Sequence, residues 1–270
     1  MGWLGILLLV LLGLALLALW LTAPGWRRGR ARHWRGQAFA HRGLHGDGVS
    51  ENSLEAFEAA CRSGYGIELD VRFSRDGQLI VFHDDDLNRM CGDPRRPEEL
   101  TVAELKALVL EPGGGRIPTF DEALALIDGR VPLLVEIKNG RGLYALTDAV
   151  RKRLADYPGE YLVESFNPLA LWRLRWTAPE IVRGQLVASL EETEEAAGRF
   201  QAVALTGLLT NALSRPDFVA YNIQDDKSPA PWAQRLLYHT PMAAWTVRSE
   251  AQLALARKRG EMVIFEKLRP

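Results

Sequence analysis

The stretch Gly66-Ile67-Glu68-Leu69-Asp70-Val71, the turn Ser74-Arg75-Asp76-Gly77 and the run Gln78-Leu79-Ile80-Val81-Phe82-His83 decide how this chain is read. Two apolar runs of β character flank an Asp-Gly turn, which predicts a hairpin rather than a strand–helix–strand unit. In the first run the side chains alternate. Glu68 and Asp70 stand at i and i+2 and share one face, while Leu69 and Val71 pack on the other. Once the second run is assigned to the hairpin, eight of the nine strand-like runs remain for a main sheet.

Outward from this hairpin, strands are expected at residues 37–41, 131–137, 161–166, 182–187, 218–221, 242–247 and 262–265. Helical patterns separate most of them, at 53–63, 101–109, 120–127, 143–157, 168–176, 190–199, 231–238 and 250–259. Ser53 is a candidate N-cap, and Thr101 with Glu104 reads as a capping box. The alanine- and leucine-rich residues 202–213 do not reveal their type. Strands alternating with helices predict a parallel sheet covered by helices. The length after the N-terminal segment, about 235 residues, suits an α/β TIM (β/α)₈ barrel of typically ~250 residues. A doubly wound open sheet is the competing architecture, but no GxGxxG or Walker loop follows any strand.

The chain has 270 residues, 47% hydrophobic and 25% charged, with a net charge of -1. This is a globular composition, and it offers no global field for nucleic acid. Cys61 and Cys91 lack metal or disulfide spacing and are read as ordinary thiols. From Trp3 to Ala23 there is no charged residue. About twenty such residues at ~1.5 Å each cross a hydrocarbon core of ~30 Å. Arg27, Arg28, Arg30, Arg32 and Arg35 follow this run, and no Lys or Arg precedes it. That order is the reverse of a signal peptide, although small residues near 22–25 keep cleavage open. The expectation is therefore a transmembrane anchor at 1–23, a basic linker at 24–36 and a barrel at 37–270. The positive-inside rule puts this single-pass protein's barrel in the cytoplasm.

Glu68 and Asp70 repel each other unless a cation or protons intervene, and a hard divalent metal with oxygen ligands resolves that. Glu136, which ends the apolar run 131–135, could supply a third oxygen. Taken singly, each acid could equally form a surface ion pair with Arg72 or Lys138. Their shared place at strand ends, where barrel sites lie, favours a metal site. Lys138 shares a face with Glu136 and can meet an anionic oxygen. His41 and His83 each follow a short apolar strand. Two imidazoles across one pocket could deprotonate a nucleophile and protonate a leaving alkoxide. Arg42 fits non-bridging phosphate oxygens. Asp84 could orient His83 or belong to a solvated acidic loop. His33, His45 and His239 have no comparable context.

AHRG (40–43) with ENSLEAF (51–57), ELDV (68–71), DGQLIVFHD (76–84) with LNR (87–89), IPTFDEAL (117–124), EIK (136–138), SFNPLALWRLRWTAP (165–179) and WTV (245–247) run in that order along the chain. This set resembles the glycerophosphodiester phosphodiesterase family. The resemblance implies a TIM barrel that hydrolyses glycerophosphodiesters to glycerol 3-phosphate and an alcohol with a divalent metal, Ca²⁺ or Mg²⁺. It also implies that His41 and His83 are the catalytic acid/base pair and that Glu68, Asp70 and Glu136 are the metal ligands. Arg42, Lys138, Phe166 and Trp245 would contact substrate, though the two aromatic residues could instead be core. The Glu51-Asn52 pair would fix the loop beside His41. Two positions depart from the family pattern. Arg248 stands where Asn is common, and Val263-Ile264-Phe265-Glu266 replaces an ending in Thr-Asp. Both are expected to bear on the alcohol and not on the phosphate. The alternatives are a membrane-tethered phospholipase of C or D type acting on lysophospholipids, its mouth held near lipid by the anchor, and a non-catalytic lipid-proximal barrel.

Overall fold

Eight parallel strands close into a barrel in the computed structural model, which describes residues 2–191, 193 and 198–270. They are β1 (Ala38–Ala40), β2 (Gly66–Phe73), β4 (Leu133–Ile137), β5 (Tyr161–Ser165), β6 (Arg183–Val187), β7 (Phe218–Asn222), β8 (Met242–Val247) and β9 (Met262–Phe265). β1 pairs in parallel with both β2 and β9, which closes the ring. The ninth strand, β3 (Leu79–Val81), is antiparallel to β2 and stands outside the ring, with Val71 opposite Val81 and Phe73 opposite Leu79. The Asp-Gly turn therefore does what its sequence predicts.

Helices cover the outside, and their ends follow local chemistry. Ser53 caps the helix Leu54–Ser63 by accepting from the Ala56 N–H, and Thr101 with Glu104 closes a capping box on Val102–Ala107. The ambiguous residues 202–213 fall in two short helices, Arg199–Thr206 and Asn211–Ser214. The helix expected at 190–199 falls largely on 192 and 194–197, which lie outside the described residues.

The barrel interior is packed from alternate strand positions, among them Phe39, Leu134, Leu162, Leu186 and Phe218. Gly184 is required there: a Cβ at this position would sit 2.1 Å from the Phe218 ring. Residues 24–36, expected as a linker, instead form a 3₁₀ helix at Arg28–Trp34 whose Ala31 and Trp34 are buried in that same interior cluster. Trp34 lies 6.3 Å from the Phe39 ring and plugs the N-terminal end of the barrel. Apolar burial outweighs the basic composition of the segment here. Trp34→Ala is expected to destabilise the fold by about 3–5 kcal/mol, the range for truncating a buried aromatic. Denaturant unfolding of the detergent-solubilised chain measures this, and a loss below ~1 kcal/mol would show that no packed plug exists.

The apolar helix Trp3–Thr22 has no buried residue and a mean hydropathy of 2.9. Only its last turn meets the barrel. Tyr238 Oη donates to the Leu19 carbonyl (2.7 Å), Asn211 and Gln234 donate to the Thr22 carbonyl (2.9 and 2.8 Å), and Arg215 donates to those of Trp20 and Ala23 (2.9 and 2.8 Å). Carbonyls that a helix C-terminus leaves unpaired are thus satisfied by the barrel. These partners lie in the segments leading into β7 and β8. The helix therefore docks at the N-terminal ends of the strands, opposite the mouth that it was expected to hold near lipid.

Candidate active site

Parallel register brings the acids together. Asp70 on β2 is level with Glu136 on β4, and Glu136 is level with Glu164 on β5. Oxygens of Glu68, Asp70 and Glu136 lie within 4.8 Å of one another, all buried. Lys138 Nζ lies 2.8 Å from Glu136 and 3.4 Å from Asp70. Burial, with the neighbouring carboxylates, holds Glu68 well above the usual carboxylate range. Asp70 moves the other way: Lys138, His83 and Arg42 together outweigh the effect of burial. Asp70 Oδ1 and Glu164 Oε2 are buried with no hydrogen-bond partner. Glu164, also held high by burial and then by Glu136 and Asp70, was missed from the sequence. The signal was present: Glu164 alternates with Phe166 at the end of an apolar strand, as Glu136 alternates with Lys138.

The segment after β1 supplies His41 and Arg42. Arg42 takes a left-handed φ of 56°, and Asn52 one of 52°. Such backbone is strained for residues with a Cβ and is held here by tertiary bonds. The Arg42 N–H donates to Glu68 (2.8 Å), its guanidinium to Glu51 (2.6 Å), and Asn52 Nδ2 to Asp70 (2.8 Å). The Glu51-Asn52 pair therefore fixes this loop as expected. Arg89 also bonds Glu51 (2.6 Å), and through Asp84 (2.6 Å) it links the loop to His83. Asp84 meets His83 Nδ1 at 2.7 Å, so it orients that imidazole and does not hang in a solvated loop.

His41 Nδ1 faces Glu266 at 3.4 Å, and its Nε2 lies 4.0 Å from Glu68. Glu266 is paired in turn with Arg248 at 2.8 Å. Burial pushes the His41 imidazole down to about 4, against the pull of Glu266. Glu266 thus meets both Arg248 and His41, which joins the two departures from the family pattern to the first histidine. His45, without a role in the sequence reading, lies close to the His41–Glu266 pair.

His41, Arg42, Glu68, His83, Glu136 and Glu164 line one cavity of about 380 Å³. Asp70 and Lys138 are buried beside it. Phe166 and Trp245 are part of its wall, stacked edge to face at 5.7 Å. They are partly core and partly lining.

Residues 41–265 match the model of the glycerophosphoryl diester phosphodiesterase family. A glycerophosphodiester phosphodiesterase of Caldanaerobacter subterraneus is 32% identical over 205 residues, 72% of this chain and 83% of that one. Among solved structures, an Oleispira antarctica phosphodiesterase in complex with the product sn-glycerol-3-phosphate is 25% identical, with a TM-score of 0.68 over 87% of this chain and 94% of that one. A Thermotoga maritima glycerophosphodiester phosphodiesterase is 26% identical, with a TM-score of 0.64 over 84% and 93%.

Proposed function

The chain belongs to the glycerophosphoryl diester phosphodiesterase family, and from that premise we propose that it hydrolyses glycerophosphodiesters to glycerol 3-phosphate and an alcohol by metal-assisted histidine catalysis. The observation that carries this reading is the convergence of His41, His83, Glu68 and Glu136 on one cavity.

His41 and His83 each have Nδ1 held by a carboxylate, which leaves Nε2 free. One imidazole takes the proton of the nucleophile and the other gives a proton to the departing alkoxide. Arg42 and Lys138 hold the non-bridging oxygens and stabilise the charge that grows on them. Glu68, Asp70 and Glu136 would hold the divalent cation. The crowding of buried carboxylates, with Asp70 Oδ1 met by Lys138 at 3.4 Å but accepting no hydrogen bond, fits a hard, oxygen-liganded ion such as Ca²⁺ or Mg²⁺. When bound, such an ion supplies Lewis-acid polarisation of a phosphoryl oxygen. Phe166 and Trp245 form the wall against which the apolar part of the substrate rests.

The helix Trp3–Thr22 would cross the membrane once, with the arginines behind it and the barrel on the cytoplasmic side. One observation favours a second reading, action on lysophospholipids. A mainly apolar cavity of about 560 Å³ adjoins the site and shares Phe166, Leu186 and Ala188 with it.

Product analysis tests both readings. With glycerophosphocholine and Ca²⁺ or Mg²⁺, the expected products are glycerol 3-phosphate and choline. Release of phosphocholine would refute the assigned bond cleavage. Turnover of lysophosphatidylcholine to lysophosphatidate and choline, with none of glycerophosphocholine, would establish the second reading.

A further inference from the structure

Another cavity, of about 210 Å³ and lined largely by arginines, lies at the end of the barrel remote from the carboxylate cluster. Arg27, Arg175, Arg183 and Arg215 line it beside Trp26, just past the end of the helix Trp3–Thr22. The four guanidiniums have mostly carbonyl partners. Arg27 reaches Pro179 O at 3.4 Å, and Arg175 reaches Leu213 O at 2.9 Å. Arg183 is buried and donates to Arg215 O at 3.2 Å, while its Nε has no hydrogen-bond partner. Asp217, the nearby acid, is shared between Arg30 (3.4 Å) and the Arg183 backbone N–H (3.1 Å). Among the described residues no carboxylate forms a salt bridge with any of the four arginines. Four cations facing one small cavity repel unless an anion joins them.

Resting on the reading that the first helix spans a membrane, we propose that this arginine pocket binds the phosphate of an anionic phospholipid headgroup and seats the N-terminal end of the barrel on the bilayer. The pocket starts three residues after the spanning helix ends, the depth at which lipid phosphates lie. The surface around it is built for the same depth. Trp26 is 94% and Trp176 66% exposed, and Leu213, Leu236 and Leu237 are exposed on segments that end at this pole. Exposed Trp and Leu beside Arg mark a membrane–water interface. A single leaflet phosphate would be gripped by guanidinium forks, whose geometry matches it. Arg215, stacked on Trp20 at 5.0 Å and bonded to the helix carbonyls, couples that lipid to the anchor. The catalytic mouth then faces water, and dissolved substrate reaches it directly.

Thermal unfolding of the full chain in neutral detergent micelles tests the site, with phosphatidylglycerol, phosphatidylcholine or inorganic phosphate added. Phosphatidylglycerol near saturation is expected to raise Tm on the order of 5 °C. Phosphatidylcholine and inorganic phosphate should leave it unmoved. The double variant Arg27→Gln/Arg175→Gln should lose the rise while hydrolysing water-soluble substrate at the unchanged rate. An equal rise with phosphatidylcholine or with phosphate, a rise that persists in the variant, or no rise at all would overturn the proposal. Release of the chain from membranes by alkaline carbonate would instead refute the spanning helix, a failure separate from that of the pocket.

Discussion

His83→Ala is expected to lower kcat/KM for a glycerophosphodiester by about 10²–10⁴-fold, the range supplied by one general acid or base, with circular dichroism unchanged. His83 lines the cavity, follows the end of its strand and is partnered by Asp84, so its removal leaves a polar surface position without opening the core. His41→Ala is expected to do the same. The double variant should lose little more than either single one, because the two imidazoles serve one proton-transfer sequence. Glu266 gives a graded control. It contacts His41 Nδ1 and not the cavity centre, so Glu266→Ala should lower kcat more than it raises KM, and Glu266→Asp should recover part of the loss. Full activity in either His→Ala variant would sink the acid/base assignment. A Glu266→Ala variant with wild-type kcat would show that the His41–Glu266 contact does not position the ring.

Removal of divalent cations is expected to reduce turnover by more than about 10²-fold, with recovery on adding Ca²⁺ or Mg²⁺. The reason is electrostatic. Glu68, Asp70, Glu136 and Glu164 are buried together, Lys138 is already tied to two of them, and Arg42 is bonded to Glu51. Burying that many carboxylates raises the energy of the charged state, and a cation with oxygen ligands relieves it. Added metal should therefore raise Tm as well as activity, because it binds the folded chain and not the unfolded one. Asp70→Asn should weaken metal binding, measured by calorimetry, together with activity. Turnover indifferent to chelator would refute the metal assignment.

Much of the fold was legible from short stretches. Period-two alternation placed Glu68 and Asp70 on one face, and the Asp76-Gly77 turn removed the ninth strand from the ring. Strand and helix ends came close because caps such as Ser53 and Thr101 act within a few residues. The site was legible where its members carry conspicuous chemistry beside an apolar run, as with His41, His83 and Glu136. Glu164 escaped because its alternation is with Phe166 and not with a second charge; its place is decided by being level with Glu136 on the adjacent strand. Arg248 and Glu266 stood out in the sequence only as departures from the family pattern; the contacts of Glu266 with Arg248 and with His41 form only when β8, β9 and β1 lie side by side.

What the sequence by itself determined is the set of local conformations and the side-chain types that phosphate chemistry needs, because alternation, capping and turn formation depend on near neighbours. Tertiary structure alone decided that the basic segment plugs the barrel through Trp34 and that the apolar N-terminal helix docks at the pole opposite the site. Both depend on groups far apart in the chain. Trp34 needs the closed interior around Phe39, and the last carbonyls of the helix need Asn211, Arg215, Gln234 and Tyr238. Those partners meet only after the ring closes, and no local pattern of residues encodes them.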